Sequence, residues 1–348
     1  MDWQEKDQVR TGSVKRCKMA VEKAEEQLFS ALQACGFVSR MVSIQRLREL
    51  EEEISDRHRK GMFDEEFYHE RLTRFEFIIP PVEMPDAKSI IIVAVPSTES
   101  GAVFHWNGES KTLIMPPTYV GYYGLPAKVE AEINEFLAPT GYRVAKTMRI
   151  PLKLLAVRSG LAEYGRNNIT YIPGVGSFHH LFALYSNIPC TQDGWREKKM
   201  LERCKNCRAC IIKCPTGAIV EDRFLIHAER CLVFHNEKPG DVPFAAWIDL
   251  AWHNSLIGCT ICQRYCPENR EVKDRIRIMA EFSHEETARL LDGSASDALA
   301  LRQAQGDASL SASLLPAATI EKLELLGLAD SLGILRRNLG VLLNARNE

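Results

Sequence analysis

The sequence predicts a mixed α+β or α/β fold in three consecutive parts: an α/β domain over residues 1–200, a small cysteine-rich module over 201–270 and a helical C-terminal region over 271–348. Three observations lead there. Helical and strand-like patterns alternate up to the cysteine-rich module. Eight of the eleven cysteines fall between Cys204 and Cys266. Apolar residues then recur at helical spacing in EETARLLD and in ATIEKLELLGLADSLGILRRNLGVLLNA.

Each element has its own reason. Residues 13–35 and 44–60 are rich in Glu, Lys, Arg, Leu and Ala and read as helices, with RLRELEEEISDRHRK as a solvated helix face. Ser89–Pro96 (SIIIVAVP) is short, β-branched and closed by proline, so it reads as a buried strand. Residues 126–137 form an amphipathic helix with proline near its start. Residues 151–163 are again helical, and YGRNNITYIPGVGSF after them is turn-rich. A stretch of Ala, Ser, Gln and Gly near 293–315 is expected to be a flexible insertion.

Composition narrows the function classes. A net charge of −2 with both signs interspersed gives no case for wholesale nucleic-acid binding. No apolar run reaches the roughly 20 residues of a membrane-spanning helix. The charged first residues, MDWQEKDQVRTG, lack the apolar core of a secretory signal and a twin-arginine pair, so a cytoplasmic location is expected. Clustered cysteines in such a chain point to metal or redox chemistry in preference to disulfides.

The cysteine spacing is specific. Cys204-x2-Cys207-x2-Cys210-x3-Cys214-Pro215 is the run of bacterial two-cluster ferredoxins, in which the fourth cysteine serves the other cluster. Three closely spaced thiolates wrap one corner of a cubane, and the proline helps turn the chain. Cys259-x2-Cys262-x3-Cys266-Pro267 repeats the last three positions. The missing first cysteine would fall at Leu256, and Cys231 is the natural replacement. The allocation is then Cys204, Cys207, Cys210 and Cys266 on one [4Fe–4S] cluster, and Cys214, Cys231, Cys259 and Cys262 on the other. Zinc sites instead favour paired C-x2-C units. His227, His235 and His253 lie close by but are not needed as ligands, and Cys190 is expected in a loop or core.

The block Ala156-Val157-Arg158-Ser159-Gly160-Leu161, followed by Tyr164-Gly165-Arg166-Asn167-Asn168, resembles a block of the epoxyqueuosine reductases. The cysteine layout, including the solitary Cys231 and the CPTGAI stretch, is similar to theirs, and reductive dehalogenases are more distant relatives. The resemblance spans about residues 80–270. It implies a corrinoid-reductase-like first domain holding cobalamin, to which the two clusters deliver electrons. Arg158, Ser159, Gly160, Tyr164, Gly165, Asn167 and Asn168 are the implied cofactor-binding residues. Gly174, Gly176 and Ser177 would allow close approach or bind peripheral amides, and Tyr122, Tyr123 and Phe178 would cover an apolar face.

The sequence also departs from that family. Its proton-donating aspartate has no counterpart in Val144–Lys153, where Lys146 stands nearest by spacing. Lys146 and Tyr123 are therefore the candidate acids; Tyr122, His179 and His180 are further ones, although the histidines are expected to be surface or capping residues. Lys146 and Arg149 are alternatively anion binders. The tail carries one basic cluster, Arg336-Arg337, read as helix C-terminal charge, so tRNA is not the expected substrate. The expected function is a cytoplasmic iron–sulfur oxidoreductase. It would be fed by reduced ferredoxin or flavodoxin and act on a small molecule or a corrinoid protein. The alternatives are a non-catalytic electron-transfer protein and a reductive activase of a corrinoid protein.

Overall fold

A computed structural model describes residues 23–121, 124–147, 149–292 and 315–344. All of the expected insertion near 293–315 but Leu315, the start of the first predicted helix, Cys17, Tyr122 and Tyr123 lie outside the described residues.

Four antiparallel strands form the first sheet: β1 (Val38–Ser43), β2 (Ser89–Pro96), β8 (His179–Ser186) and β5 (Val144–Thr147), in the order β1-β2-β8-β5. Alternate side chains of β2 point to opposite faces, and both faces are covered. Ile90, Ile92 and Ala94 share a core with Leu47, Leu50 and Ile54 of helix α2 (Arg46–Arg59) and with Leu154 and Leu155 of α4 (Leu152–Arg158). Ile91 and Val93 pack instead with Leu28 and Leu32 of α1 (residues 23–34) and with Val129 and Ile133 of α3 (Gly124–Leu137). A helix layer on each face explains why β2 is a continuous β-branched run.

The helix expected over 151–163 stops at Arg158. Ser159 caps it, its hydroxyl donating to the Ala156 carbonyl. Gly160 then turns the chain at φ +79°, a conformation that favours glycine. Residues Glu163–Tyr164 (β6) pair with Thr170–Tyr171 (β7) to close the turn-rich block.

A second sheet was not legible beforehand. Strands β3 (Glu99–Trp106) and β4 (Glu109–Met115) form a hairpin around Asn107-Gly108, both at positive φ, the geometry an Asn-Gly turn supplies. The strand β9 (Ile276–Phe282), which follows the cysteine-rich module, returns to pair with β3 in parallel. Phe104 and Phe282 stack at 4.7 Å in the core beneath. The C-terminal region is helical after β9. Leu323, Leu326, Leu335 and Leu339, from α9 (Ala317–Leu326) and α10 (Leu332–Asn344), join Leu256 and Ile257 of the module in that core. The module is thus held between two layered bodies. Among the described residues no helix is long and apolar enough to cross a membrane.

Arg337 of α10 is not a charge awaiting a polyanion. Its guanidinium donates to the carbonyls of His235, Asn236, Pro239 and Val242. Beside it the backbones of Gly240 and Gly333 meet so closely that a Cβ on Gly240 would lie 2.1 Å from Gly333. Gly240→Ala should therefore destabilise the chain by about 1–3 kcal/mol. Denaturant unfolding checks this, and an unchanged midpoint would show that the seam opens without cost.

Candidate metal centre

The eight clustered cysteines sit in a part of the chain with little regular structure. Cys204 lies in a 3₁₀ turn (Glu202–Lys205), Cys210 lies in α5 (Ala209–Lys213), and Cys214 follows as its extended C-cap. Cys231 is the N-cap of α6 (Leu232–Asn236), and Cys262 lies in α7 (Ile261–Arg264), followed by Cys266. All eight are half-buried and free of disulfides.

Their arrangement separates them into two sets. Cys204, Cys207, Cys210 and Cys266 line one cavity together with Gly165, Asn167 and Tyr171. The other four lie within one another's electrostatic reach. Burial, and then the neighbouring Cys259 and Cys214, pushes the Cys231 thiol up to about 12. Cys262 is likewise raised by burial first, and then by Cys259 and Cys231. The sets approach each other at Cys262 and Cys210. Buried thiols that resist carrying bare charge suit a site where iron supplies the positive charge. Several sulfurs also have hydrogen-bonding neighbours: Asn254 Nδ2 donates to Cys259 at 3.2 Å, and Thr216 Oγ1 lies 3.4 Å from Cys214. Hydrogen bonds to cluster sulfurs are one determinant of reduction potential.

The block read as cofactor-binding has other partners. Arg158 pairs with Glu49, Glu53 and Glu197 and lies over the Trp195 ring. Tyr164 is buried edge-on against Phe224. Asn168, at φ +54°, receives the Ile226 amide and donates to the Phe224 carbonyl. Asn167 donates to the Tyr171 hydroxyl at 3.0 Å. A Cβ on Gly165 would lie 2.4 Å from the Tyr171 ring, so glycine there lets Tyr171 close on the cavity wall. Gly165 and Asn167 are thus brought to the first thiol set. Ser159 and Gly160 terminate α4.

Lys146, on β5, pairs with Leu184 and shares the sheet face covered by α1 and α3, opposite α4. Lys153, at the start of α4, occupies a more telling position. Its side chain is open to solvent yet recessed enough that burial lowers its pKa, opposed by the nearby Cys231, Cys262 and Glu237. Tyr119 donates to Glu237 beside the same set and is raised by burial. His179 and His180 are buried, not surface residues as expected. Both begin β8; His179 meets the Thr170 hydroxyl at 3.1 Å and His180 the backbone of Pro117 and Val120. Burial lowers the pKa of His179 to about 4.

Glu99 gave no signal in the sequence. Its side chain is fully buried, Arg264 between Cys262 and Cys266 pairs with one carboxylate oxygen, and burial raises it to about 7 despite that cation. The pairing fastens β3 to the second cysteine run.

A family model described as a 4Fe-4S double cluster binding domain matches residues 203–269, which contain all eight cysteines. The chain carries two [4Fe–4S] clusters. The epoxyqueuosine reductase of Staphylococcus aureus is 27% identical over 204 residues, 56% of this chain and 51% of that protein. That of Aliivibrio fischeri is 33% identical over 162 residues, 45% of this chain and 40% of that protein. The chain spans about half the length of the first of these curated relatives. A solved epoxyqueuosine reductase from Streptococcus thermophilus superposes with a TM-score of 0.62 at 17% identity, covering 92% of this chain and 80% of that one. Another, solved with an epoxyqueuosine-modified tRNA stem loop, gives 0.58 at 20% identity over 89% and 82%.

The chain is epoxyqueuosine-reductase-like in sequence and in fold.

In this reductase-like chain the joint between first domain and module is a side-chain network. Asn269 is fully buried. It accepts the Ser177 amide at 2.8 Å and donates to the Ser177 hydroxyl at 2.7 Å and the Gln263 carbonyl at 2.8 Å. A Cβ on Gly176 would lie 2.3 Å from its Oδ1. Asn269→Ala leaves buried partners unsatisfied and should cost about 2–3 kcal/mol. Unfolding of the cluster-loaded protein measures it, and a loss under half of that would mean water replaces the amide.

Proposed function

We propose that the chain is an iron–sulfur reductase in which electrons cross the Cys204/Cys207/Cys210/Cys266 cluster, then the Cys214/Cys231/Cys259/Cys262 cluster, and reach a reducible ligand in the recess at Lys153. The observation that carries this reading is the division of the thiols. One set lines its own cavity, whereas the other lies beside a solvent-open lysine of the first domain. A cytoplasmic setting agrees with the free thiols.

A corrinoid is the ligand the family resemblance implies. The 158–168 block does not fit the role of its cradle, because Arg158, Asn167 and Asn168 are engaged within the protein. The surroundings of Lys153 fit better, because it offers an exposed cation beside Cys231 and Cys262. When bound, a corrinoid supplies a strongly reducing cobalt centre. The protein's own part would be to orient the ligand, exclude water from the second cluster and hold a proton. Lys153 is favoured over Lys146 as the proton-holding group, because it lies beside Cys231 and Cys262 whereas Lys146 lies on the sheet face opposite α4.

The names of the relatives make an epoxyqueuosine-bearing tRNA the first substrate to try. The chain's own cationic cluster does not argue for it, since Arg337 is engaged by four carbonyls. A small-molecule substrate or a corrinoid protein therefore remains in the proposal, with a reduced ferredoxin or flavodoxin as donor.

Anaerobic reconstitution tests the reading. Cys231→Ala and Cys266→Ala should each lose about half the iron, with distinct residual electron-paramagnetic signals. Loss of the same cluster in both would defeat the allocation. Cobalamin added to the reduced protein should change its spectrum, and Lys153→Ala should weaken that binding about tenfold. If no corrinoid or tRNA stem loop binds or is reduced, a plain electron-transfer protein is the better description.

A further inference from the structure

We propose that an acidic one-electron carrier protein docks on the surface formed by Ile212, Lys213 and Tyr265 and delivers electrons there to the first cluster. The inference rests on the proposed reductase function and adds where its electrons enter.

Ile212 is 74% exposed and Tyr265 is 52% exposed, a large apolar area for side chains in a module with so small a core. Lys213 lies over the Tyr265 ring at 4.7 Å, which joins α5 and α7 into one patch. Both segments hold first-set cysteines. Ile212 and Lys213 follow Cys210 in the same helix, and Tyr265 precedes Cys266. The patch is therefore only a few bonds from two thiols of the first cavity, Cys210 and Cys266, and it also adjoins Cys214 and Cys262 of the second set.

Charge selects the partner. Residues 202–213 carry four Lys and Arg against one Glu, an excess of three in a chain whose net charge is −2. Arg203, Lys205 and Arg208 are paired with Glu268, Glu202 and Glu221 respectively. Among the described residues no carboxylate pairs with Lys213, so a cation stands at the centre of the apolar surface. A carrier with carboxylates around an exposed cofactor complements it: charge steers the encounter, and apolar contact holds it briefly. In each encounter the reduced carrier loses one electron and a [4Fe–4S]²⁺ cluster becomes [4Fe–4S]⁺. Two encounters supply a two-electron reduction, with protons drawn from solvent.

The test uses the full cluster-loaded chain with a reduced plant-type or bacterial ferredoxin as probe. Lys213→Glu and Ile212→Ser should each slow cluster reduction by the carrier about tenfold at low salt and weaken its binding comparably. Iron content and reduction by dithionite should stay unchanged. The control Val82→Ser, on an exposed residue of the first domain, should behave as the parent chain. Unchanged carrier kinetics in both patch variants would overturn the proposal. So would variants that lose binding to a tRNA stem loop while keeping carrier kinetics, because the surface would then serve nucleic acid. Failure of dithionite to reduce either cluster would instead count against the reductase reading itself.

Discussion

A module made of loops must satisfy its buried backbone without the help of sheets, and here buried asparagine side chains do so. Asn236 accepts the Gly258 amide, and Asn338 of α10 donates to the carbonyls of Asn236 and Leu256. Asn254 receives the Thr260 amide while its nitrogen reaches the Cys259 sulfur. Asn269 performs the same service at the joint with the first domain. An amide carries both a donor and an acceptor, so one side chain replaces a short stretch of ladder. Left unpaired, each would cost more than its bond contributes, which makes the network all-or-nothing. The cysteines inherit their positions from it.

The same constraint explains the shape of the molecule. A segment with so few apolar residues cannot bury enough surface to hold itself, and it leans on its neighbours. Leu256 and Ile257 enter the core of the second sheet, and Phe224 packs into that of the first. The Glu99–Arg264 pair closes the remaining side. Its cost in desolvation shows in a carboxyl raised to about 7 even beside a guanidinium. The two bodies therefore do more than flank the clusters: they supply the apolar mass and polar anchors that keep eight thiols in place until iron binds.

What was readable in the sequence followed from strict chemistry. Thiolate spacing is dictated by the cubane, so Cys204 to Cys266 could be read directly. Strand β2 was visible because burial on both faces leaves only β-branched residues. Elements that depend on distant partners were hidden. The strand β9 alternates Ile276, Ile278, Ala280 and Phe282 with Arg277 and Glu281, but its partner β3 lies across the whole module, where no local pattern points. Ser159-Gly160 should have marked the end of α4, but the apolar residues before it suggested continuation. Asn107-Gly108 is a hairpin turn signal, but the strands it joins face the distant β9 and C-terminal helices. The burial of His180 depends on the 117–120 segment, whose backbone it meets, and a local pattern does not hold that information.

The glycine-rich block shows why residue identity and residue role come apart. Gly165 and Asn167 have the chemistry expected of a cofactor cradle, namely a missing Cβ and a free amide. In the fold that close approach is granted to Tyr171 and to the first thiol set, whereas Asn168 turns outward to hold the 224–226 segment. The polar group left facing open space beside the second set is Lys153, carried by a helix whose length Pro151 and Gly160 fix. Lys153 is the second residue of that helix, so moving the helix start by one residue would turn it about 100° around the axis. The position of Lys153 is thus set by where α4 begins and ends, a backbone matter that residue identity alone does not reveal.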